Sequence, residues 1–306
     1  MMSLVIRALV EDDAHSLFFS LTDPGLVGRA ILDPPLNTYE TVARGGEYRP
    51  EWTWVALQDG RVVARAAFWG GPDDEAPRAL EWFDFTDRTA AVELLRTIPH
   101  RADYELVLPP NWRADPAVRA AARARLDAAQ EAGYHTPVER YHYLWTPECG
   151  LPERPGRLTF RPEPDDEAVL AMLRRVHEHS LDGHTSRSVA RGGVALAAQE
   201  ELDHLRWCAS PRAWWRLAYT SDGEPVGFQA PVINQGMPVI GAIGVVPEHR
   251  GCGYGYDLLV EGTHQLVAEG AERIAASTDV GNSPMAAAFT RAGYPILHHR
   301  HRLTSP

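Results

Sequence analysis

The chain has 306 residues, 44% hydrophobic and 9% aromatic, which is ordinary soluble composition with enough length for two domains. A net charge of −11 argues against a nucleic-acid partner and mildly favours a cationic acceptor such as an amine. All 30 basic residues are arginines, and without lysine neither a nucleotide-triphosphate loop nor Schiff-base and pyridoxal-phosphate chemistry is available.

Val5-Ile6-Arg7 reads as a short strand, and Asp12-Asp13 as the turn into an amphipathic helix. The start of the chain lacks a signal peptide's charged opening and cleavage site, and no apolar run reaches the length of a membrane span. A cytoplasmic protein with no membrane partner is expected. Asp59-Gly60 joins two strand-like runs, and Trp82-Phe83-Asp84-Phe85 is a strand followed by a helix from Ala90 to Thr97. The intervening Thr86-Asp87-Arg88-Thr89 has no glycine and offers Asp87 or Thr89 as a helix cap. Ala132-Gly133-Tyr134 closes another helix and leads into a strand rich in His and Arg.

From Pro147 to Arg157 the composition is that of a linker, and the earlier order then returns. Thr159-Phe160-Arg161 and Asp165-Asp166 repeat the opening strand and turn. Asp222-Gly223 repeats the hairpin, and Ala292-Gly293-Tyr294 repeats the helix end. A repeat one domain long means tandem domains: 1–146, a linker at 147–157, and 158–306. His177, His179 and His184 surround Leu181-Asp182-Gly183, and the two-residue spacing of His177 and His179 puts them on different sides of a helix, against a shared metal. Arg187 and Arg191 flank Gly192-Gly193 as a solvated loop. Trp207, Trp214 and Trp215, before the Leu217-Ala218-Tyr219 strand, read as core. Cys149, Cys208 and Cys252 have no metal-ligand spacing and read as free thiols.

The most informative stretch is the apolar strand Ile240 to Val246, then Pro247, then Arg250-Gly251-Cys252-Gly253-Tyr254-Gly255, then a helix from Tyr256 to Ala268. The first N–H groups of that helix lack intrahelical partners and carry the positive end of its dipole, so an anion such as a pyrophosphate suits them. A dinucleotide G-x-G-x-x-G fails, because the third glycine falls on Tyr256 or on Leu258.

The pattern Arg250, Gly253, Gly255 after Val245 and Pro247, with a strand Arg273 to Ser277, then Asn282, Phe289 and Ala292-Gly293-Tyr294, resembles the acyl-CoA-binding and closing segments of the GNAT acetyltransferases. The resemblance covers roughly Trp214 to Leu303. It implies an α/β (α+β) fold of two tandem acetyltransferase-like domains, each a mixed, mostly antiparallel sheet flanked by helices, the two-domain plan shared by mycothiol synthases. It also implies acetyl-CoA, or another short acyl-CoA, as co-substrate and no metal. Ile243, Gly244, Val245, Arg250, Gly251, Cys252, Gly253, Tyr254, Gly255, Tyr256, Asn282 and Phe289 would bind it, with a backbone N–H near Val245 polarising the thioester and Asn282 contacting the cofactor arm. Phe289 stands where the family often has a tyrosine that protonates the leaving thiolate. No carboxylate lies on the strand before the cradle, and Asp279 is the nearest candidate for a general base.

The first half lacks the glycine cradle and reads as a degenerate copy. The expected function is N-acetylation of a small amine, with chemistry confined to the second half. The alternative is a non-catalytic acyl-CoA sensor, motivated by Phe289 and the missing strand carboxylate.

Overall fold

The computed structural model describes residues 4–32, 39–135, 138–208, 210–234 and 236–306, without the side chains of residues 12, 13 and 41. The first part of the chain runs β1 (Leu4–Ala8), α1 (Glu11–Ser20), α2 (Tyr39–Arg44), β2 (Thr53–Gln58), β3 (Arg61–Trp69), β4 (Ala79–Phe85), α3 (Arg88–Thr97), β5 (Asp103–Leu108), α4 (Pro116–Glu131) and β6 (Val138–Trp145). It continues with β7 (Thr159–Pro162), α5 (Asp166–His177), α6 (Gly183–Trp207), β8 (Arg216–Tyr219), β9 (Pro225–Asn234), β10 (Met237–Val245), α7 (Tyr254–Ala268), β11 (Ile274–Asp279), α8 (Ser283–Arg291) and β12 (Ile296–Leu303). Among the described residues no helix is long and apolar enough to cross a membrane.

Two compact units result, and each contains a strand from the other repeat. Unit 1 holds residues up to Glu139 together with His298–Pro306, and unit 2 holds Arg140–Leu297. In unit 1 the strands run β1-β2-β3-β4-β5-β12, antiparallel except for β4 with β5. In unit 2 they run β6-β11-β10-β9-β8-β7, antiparallel except for β10 with β11. Each is a mixed, mostly antiparallel sheet with helices packed on it, as expected. The units divide at Glu139 and at Leu297 instead of within 147–157. The Pro- and Gly-rich segment is irregular, but it belongs to unit 2. Trp145 Nε1 donates to the Gly150 carbonyl at 2.9 Å, His264 Nε2 bonds the Pro152 carbonyl at 2.7 Å, and Arg154 pairs with Glu261 at 2.7 Å. Composition reports irregular backbone, not which sheet a following strand joins.

Unit 1 buries Leu80, Phe83, Leu94, Ile98, Tyr104 and Leu106 beneath α3 and α4. Unit 2 buries Leu170, Leu173, Leu202, Phe228, Leu259 and Phe289. Trp214 and Trp215 are core residues, as read, whereas Trp207 is 62% exposed and stacks on His204. The Arg187 to Arg191 stretch is helical, not a loop. Gly192 and Gly193 have non-helical backbone and break α6, and Gly193 takes a φ of 78° that glycine tolerates. Ser188 Oγ then donates to Glu200 Oε2 at 2.6 Å, so the two halves of α6 fold back on one another.

Candidate active site

The cradle forms because β10 ends at a single 3₁₀ turn, Pro247–His249, and α7 starts at Tyr254 with Gly253 as its N-cap. Gly251 and Gly253 have φ of 81° and 77°, left-handed values that a side chain would strain. Gly253 in that conformation starts the helix two residues earlier than its apolar spacing suggests. A Cβ placed on Gly251 or Gly255 meets nothing within 4 Å, so the helix start opens outward. Cys252 is exposed. Arg250 donates to the carbonyls of Val245 at 3.1 Å, His179 at 3.3 Å and Val176 at 2.9 Å. It thus ties the loop to the C-terminal end of α5, where carbonyls lack intrahelical donors.

Arg157 was not singled out by the sequence. It reaches the cradle from the irregular segment, donating to Asp257 through Nε and Nη2 at 2.9 Å each and to the Cys252 carbonyl at 3.0 Å. Its guanidinium lies 4.9 Å from the Tyr254 ring centroid, and Nη2 is 3.6 Å from the Cβ position of Gly253. Asp257 is 3% exposed in the first turn of α7, where its charge would repel a phosphate. The bidentate pair neutralises it and leaves two of the five guanidinium N–H groups unspent. On the other side Arg291 stacks at 3.9 Å on Tyr256.

Beside the cradle, β10 leaves its parallel neighbour. The two pair at Val239 and Ala275, and β10 has a bulge between Ile240 and Ala242, which bends the strand. Val246 donates to the Val226 carbonyl at 2.9 Å, and alternate residues of an antiparallel strand exchange bonds with their neighbour. The N–H groups of Val245 and Ile243 therefore face away from β9, toward the gap beside β11. Gly244 is fixed by packing: a Cβ there would stand 1.9 Å from Val176 Cγ1, so α5 lies directly over the strand.

Asp279 ends β11 and is 6% exposed. It accepts from the Gly183 N–H at 2.5 Å and pairs with Arg140 at 3.0 Å. Burial pushes its carboxyl up, and the Gly183 N–H and Arg140 oppose that rise. Asn282 caps α8, accepting from the Met285 N–H at 3.3 Å, and its side-chain NH₂ remains available. Phe289 is a core residue, 2% exposed and stacked on Tyr143 at 4.3 Å. The structure thus gathers Ile243 to Tyr256 around one helix start, whereas the Phe289 ring points into the core.

The corresponding places in unit 1 are filled from within. Asp87 caps α3 by accepting from the Ala90 N–H at 2.9 Å, putting a carboxylate where a phosphate would sit. Pairing of β4 with β5 ends at Leu80 and Tyr104. Beyond it, Arg125 donates to the Phe83 carbonyl at 3.1 Å and pairs with Asp84 at 2.9 Å and Asp23 at 2.6 Å. The three histidines of β12 are all buried, at 5–7% exposure. His299 Nδ1 meets Glu139 at 2.6 Å, and Trp112 lies edge-on to His299 and His301. Burial drives the His298 imidazole down to about 3, so it is neutral.

Residues 184–294 match the Acetyltransferase (GNAT) family. No curated protein matches the sequence. Similar solved structures include a GCN5-related N-acetyltransferase from Sphaerobacter thermophilus, at 19% identity and TM-score 0.53 over 99% of this chain and 96% of that one. Another is the GCN5-related glucosamine N-acetyltransferase region of a fungal multi-domain GH3 β-N-acetylglucosaminidase, at 13% identity and TM-score 0.52 over 99% of this chain and 38% of that one. A tandem GNAT protein from the clavulanic acid biosynthesis pathway aligns over 100% of this chain and 98% of its own at 18% identity, with a TM-score of 0.47. The two structures with TM-scores above 0.5 share this chain's fold, and the sequence match shows that the chain carries an acetyltransferase domain of the GNAT family at residues 184–294.

Proposed function

We propose that the second half of the chain transfers an acetyl group from acetyl-CoA to a small amine, and that the first half takes no part in the chemistry. The observation that carries this reading is the adjacency of an open helix start and the N–H groups of Val245 and Ile243, turned away from β9, on a single strand-to-helix connection. Gly251, Gly253 and Gly255, the first N–H groups of α7 and Arg157 would hold the pyrophosphate. The Val245 N–H would donate to the thioester oxygen as negative charge develops there. When bound, acetyl-CoA supplies the activated acyl group. Tyr256 and the Asn282 amide would line the cofactor arm. Asp87 and Arg125 fill the equivalent places of unit 1, which supports confining the chemistry to unit 2.

Isothermal calorimetry with acetyl-CoA, paired with a thiol-release assay over a panel of amines, tests the reading. Binding with amine-dependent thiol release is expected, and absence of binding would end it. Burial of Phe289 favours a second reading, a non-catalytic acyl-CoA sensor, because no phenol stands there to protonate a leaving thiolate. Binding without release on any amine would select the sensor.

A further inference from the structure

An open cleft of about 310 Å³ lies beside the cradle, between the irregular segment before β7 and the first two turns of α7. That is the lower end of the range for small-molecule sites. Arg154, Arg157, Leu158 and Phe160 line it from the segment and β7, and Asp257 and Glu261 line it from α7. Asp257 and Glu261 are four residues apart, so they stand one turn above the other on a single helix face. Each is gripped by an arginine of the segment, Asp257 by Arg157 at 2.9 Å and Glu261 by Arg154 at 2.7 Å. From β8, Arg216 adds a second bond to Glu261 at 3.0 Å. Three guanidinium groups thus face two carboxylates, a surplus of positive charge in an otherwise acidic chain.

The layering of these groups sets the sign that a ligand meets. The Asp257 and Glu261 side chains are 3% and 12% exposed, whereas those of Arg157 and Arg154 are 44% and 53% exposed, so an entering anion reaches guanidinium before carboxylate. Arg157 keeps two N–H groups, and Arg154 spends only its Nε among the described residues. Half-buried Leu158 and Phe160 give the cleft an apolar wall. Arg157 joins the cleft to the cradle, because it also donates to the Cys252 carbonyl at 3.0 Å and its Nη2 lies 3.6 Å from the Cβ position of Gly253.

We propose that this cleft receives the nucleotide end of the acyl donor, with Arg154 and Arg157 binding the 3′-phosphate of CoA and Phe160 taking the adenine. This rests on the acyl-CoA reading above. A pyrophosphate at the helix start carries its nucleoside directly, and a single ribose separates it from the 3′-phosphate. Arg157 spans the same step, from the cradle carbonyl into the cleft. The 3′-phosphate is close to doubly charged near neutrality, which two arginines with free N–H groups match, and adenine presents a flat face to the aromatic ring. Arg154, which touches no part of the cradle, is then a specificity-determining residue: it makes the protein favour CoA over the same molecule without its 3′-phosphate.

Calorimetric affinities for CoA and 3′-dephospho-CoA, measured on wild type, Arg154→Gln and Phe160→Leu, test this. Wild type should bind CoA about ten- to a hundredfold more tightly than 3′-dephospho-CoA. Arg154→Gln should fold, because Glu261 keeps Arg216, and a thermal melt checks it. That variant should cut the preference by at least about threefold and leave the affinity for 3′-dephospho-CoA unchanged, a split that a merely structural residue would not produce. Phe160→Leu should weaken both ligands by the same factor, about fivefold or more, and keep the preference. A wild type that binds the two ligands equally overturns the subsite and leaves the cradle standing. So does an Arg154→Gln protein that keeps the full preference or weakens both ligands alike. Unchanged affinities in Phe160→Leu overturn the adenine placement. A wild type that binds neither ligand ends the proposal together with the acyl-CoA reading.

Discussion

Arg157 grips Asp257 through two parallel bonds of 2.9 Å, joining the irregular segment after β6 to the first turn of the cradle helix. Replacing Arg157 by alanine exposes the buried Asp257 charge to the anion site. Acetyl-CoA affinity should fall about tenfold, ~1.4 kcal/mol, and weaken less at high salt. Adding Asp257→Asn should recover the part of the loss that comes from the repelling charge and leave the part that comes from the missing guanidinium. Calorimetry on the single and double variants checks both.

Gly244→Ala should destabilise the protein by about 1–3 kcal/mol, the usual cost of overpacking. The new methyl would occupy space held by Val176 Cγ1. Val176→Ala in the same chain should return most of the lost Tm, because it vacates that space. Independent losses that simply add would show that the two do not touch.

Arg125→Met removes a partner of two buried carboxylates, Asp23 and Asp84, and only Asp84 keeps a second arginine, Arg65 at 2.8 Å. Burial, with Asp84 adding, already holds Asp23 up at about 6. Breaking a buried pair from one side costs about 3–5 kcal/mol, to be read from denaturant unfolding. Acetyl-CoA binding per folded chain should persist, since the proposed site lies in unit 2.

Much of the cradle was legible because its causes are local. Positive φ demands glycine at 251 and 253, and the helix start follows from the adjoining sequence. Arg157 was not legible, because its partner lies far along the chain and nothing near Arg157 announces it. The helix α6 was not legible either, because Gly192 and Gly193 read as a loop, and their non-helical backbone breaks a helix that continues on both sides. The strand exchange escaped for a related reason: the repeat shows that a strand follows each Ala-Gly-Tyr step, while partner choice is settled by tertiary pairing. Phe289 was read from its position in a motif, yet its packing on Tyr143 makes it a core residue.

Glu201 lies in α6 at three- and four-residue spacings from the buried Ala197, Ala198 and Leu205, and Glu201→Gln should change stability with pH in a defined direction. A carboxyl raised to about 7 when folded and ordinary when unfolded makes the native state lose stability as pH rises from its unfolded value to 7. The glutamine variant escapes that loss. It should match wild type below about pH 4, gain through the window, and hold a constant advantage of ~1–3 kcal/mol above pH 7. Thermal melts across pH read this without any acceptor, and a gain that grows toward acid would contradict it.

The central claim is that the chain has one acyl-CoA site, built on Gly251 to Gly255 in its second half. Calorimetric titration of wild type and Gly253→Asp with acetyl-CoA tests it most directly. Wild type should bind one equivalent per chain, and the variant, with a carboxylate at a left-handed position inside the anion site, should bind none while remaining folded. Two equivalents in wild type, or unchanged affinity in the variant, would contradict the account.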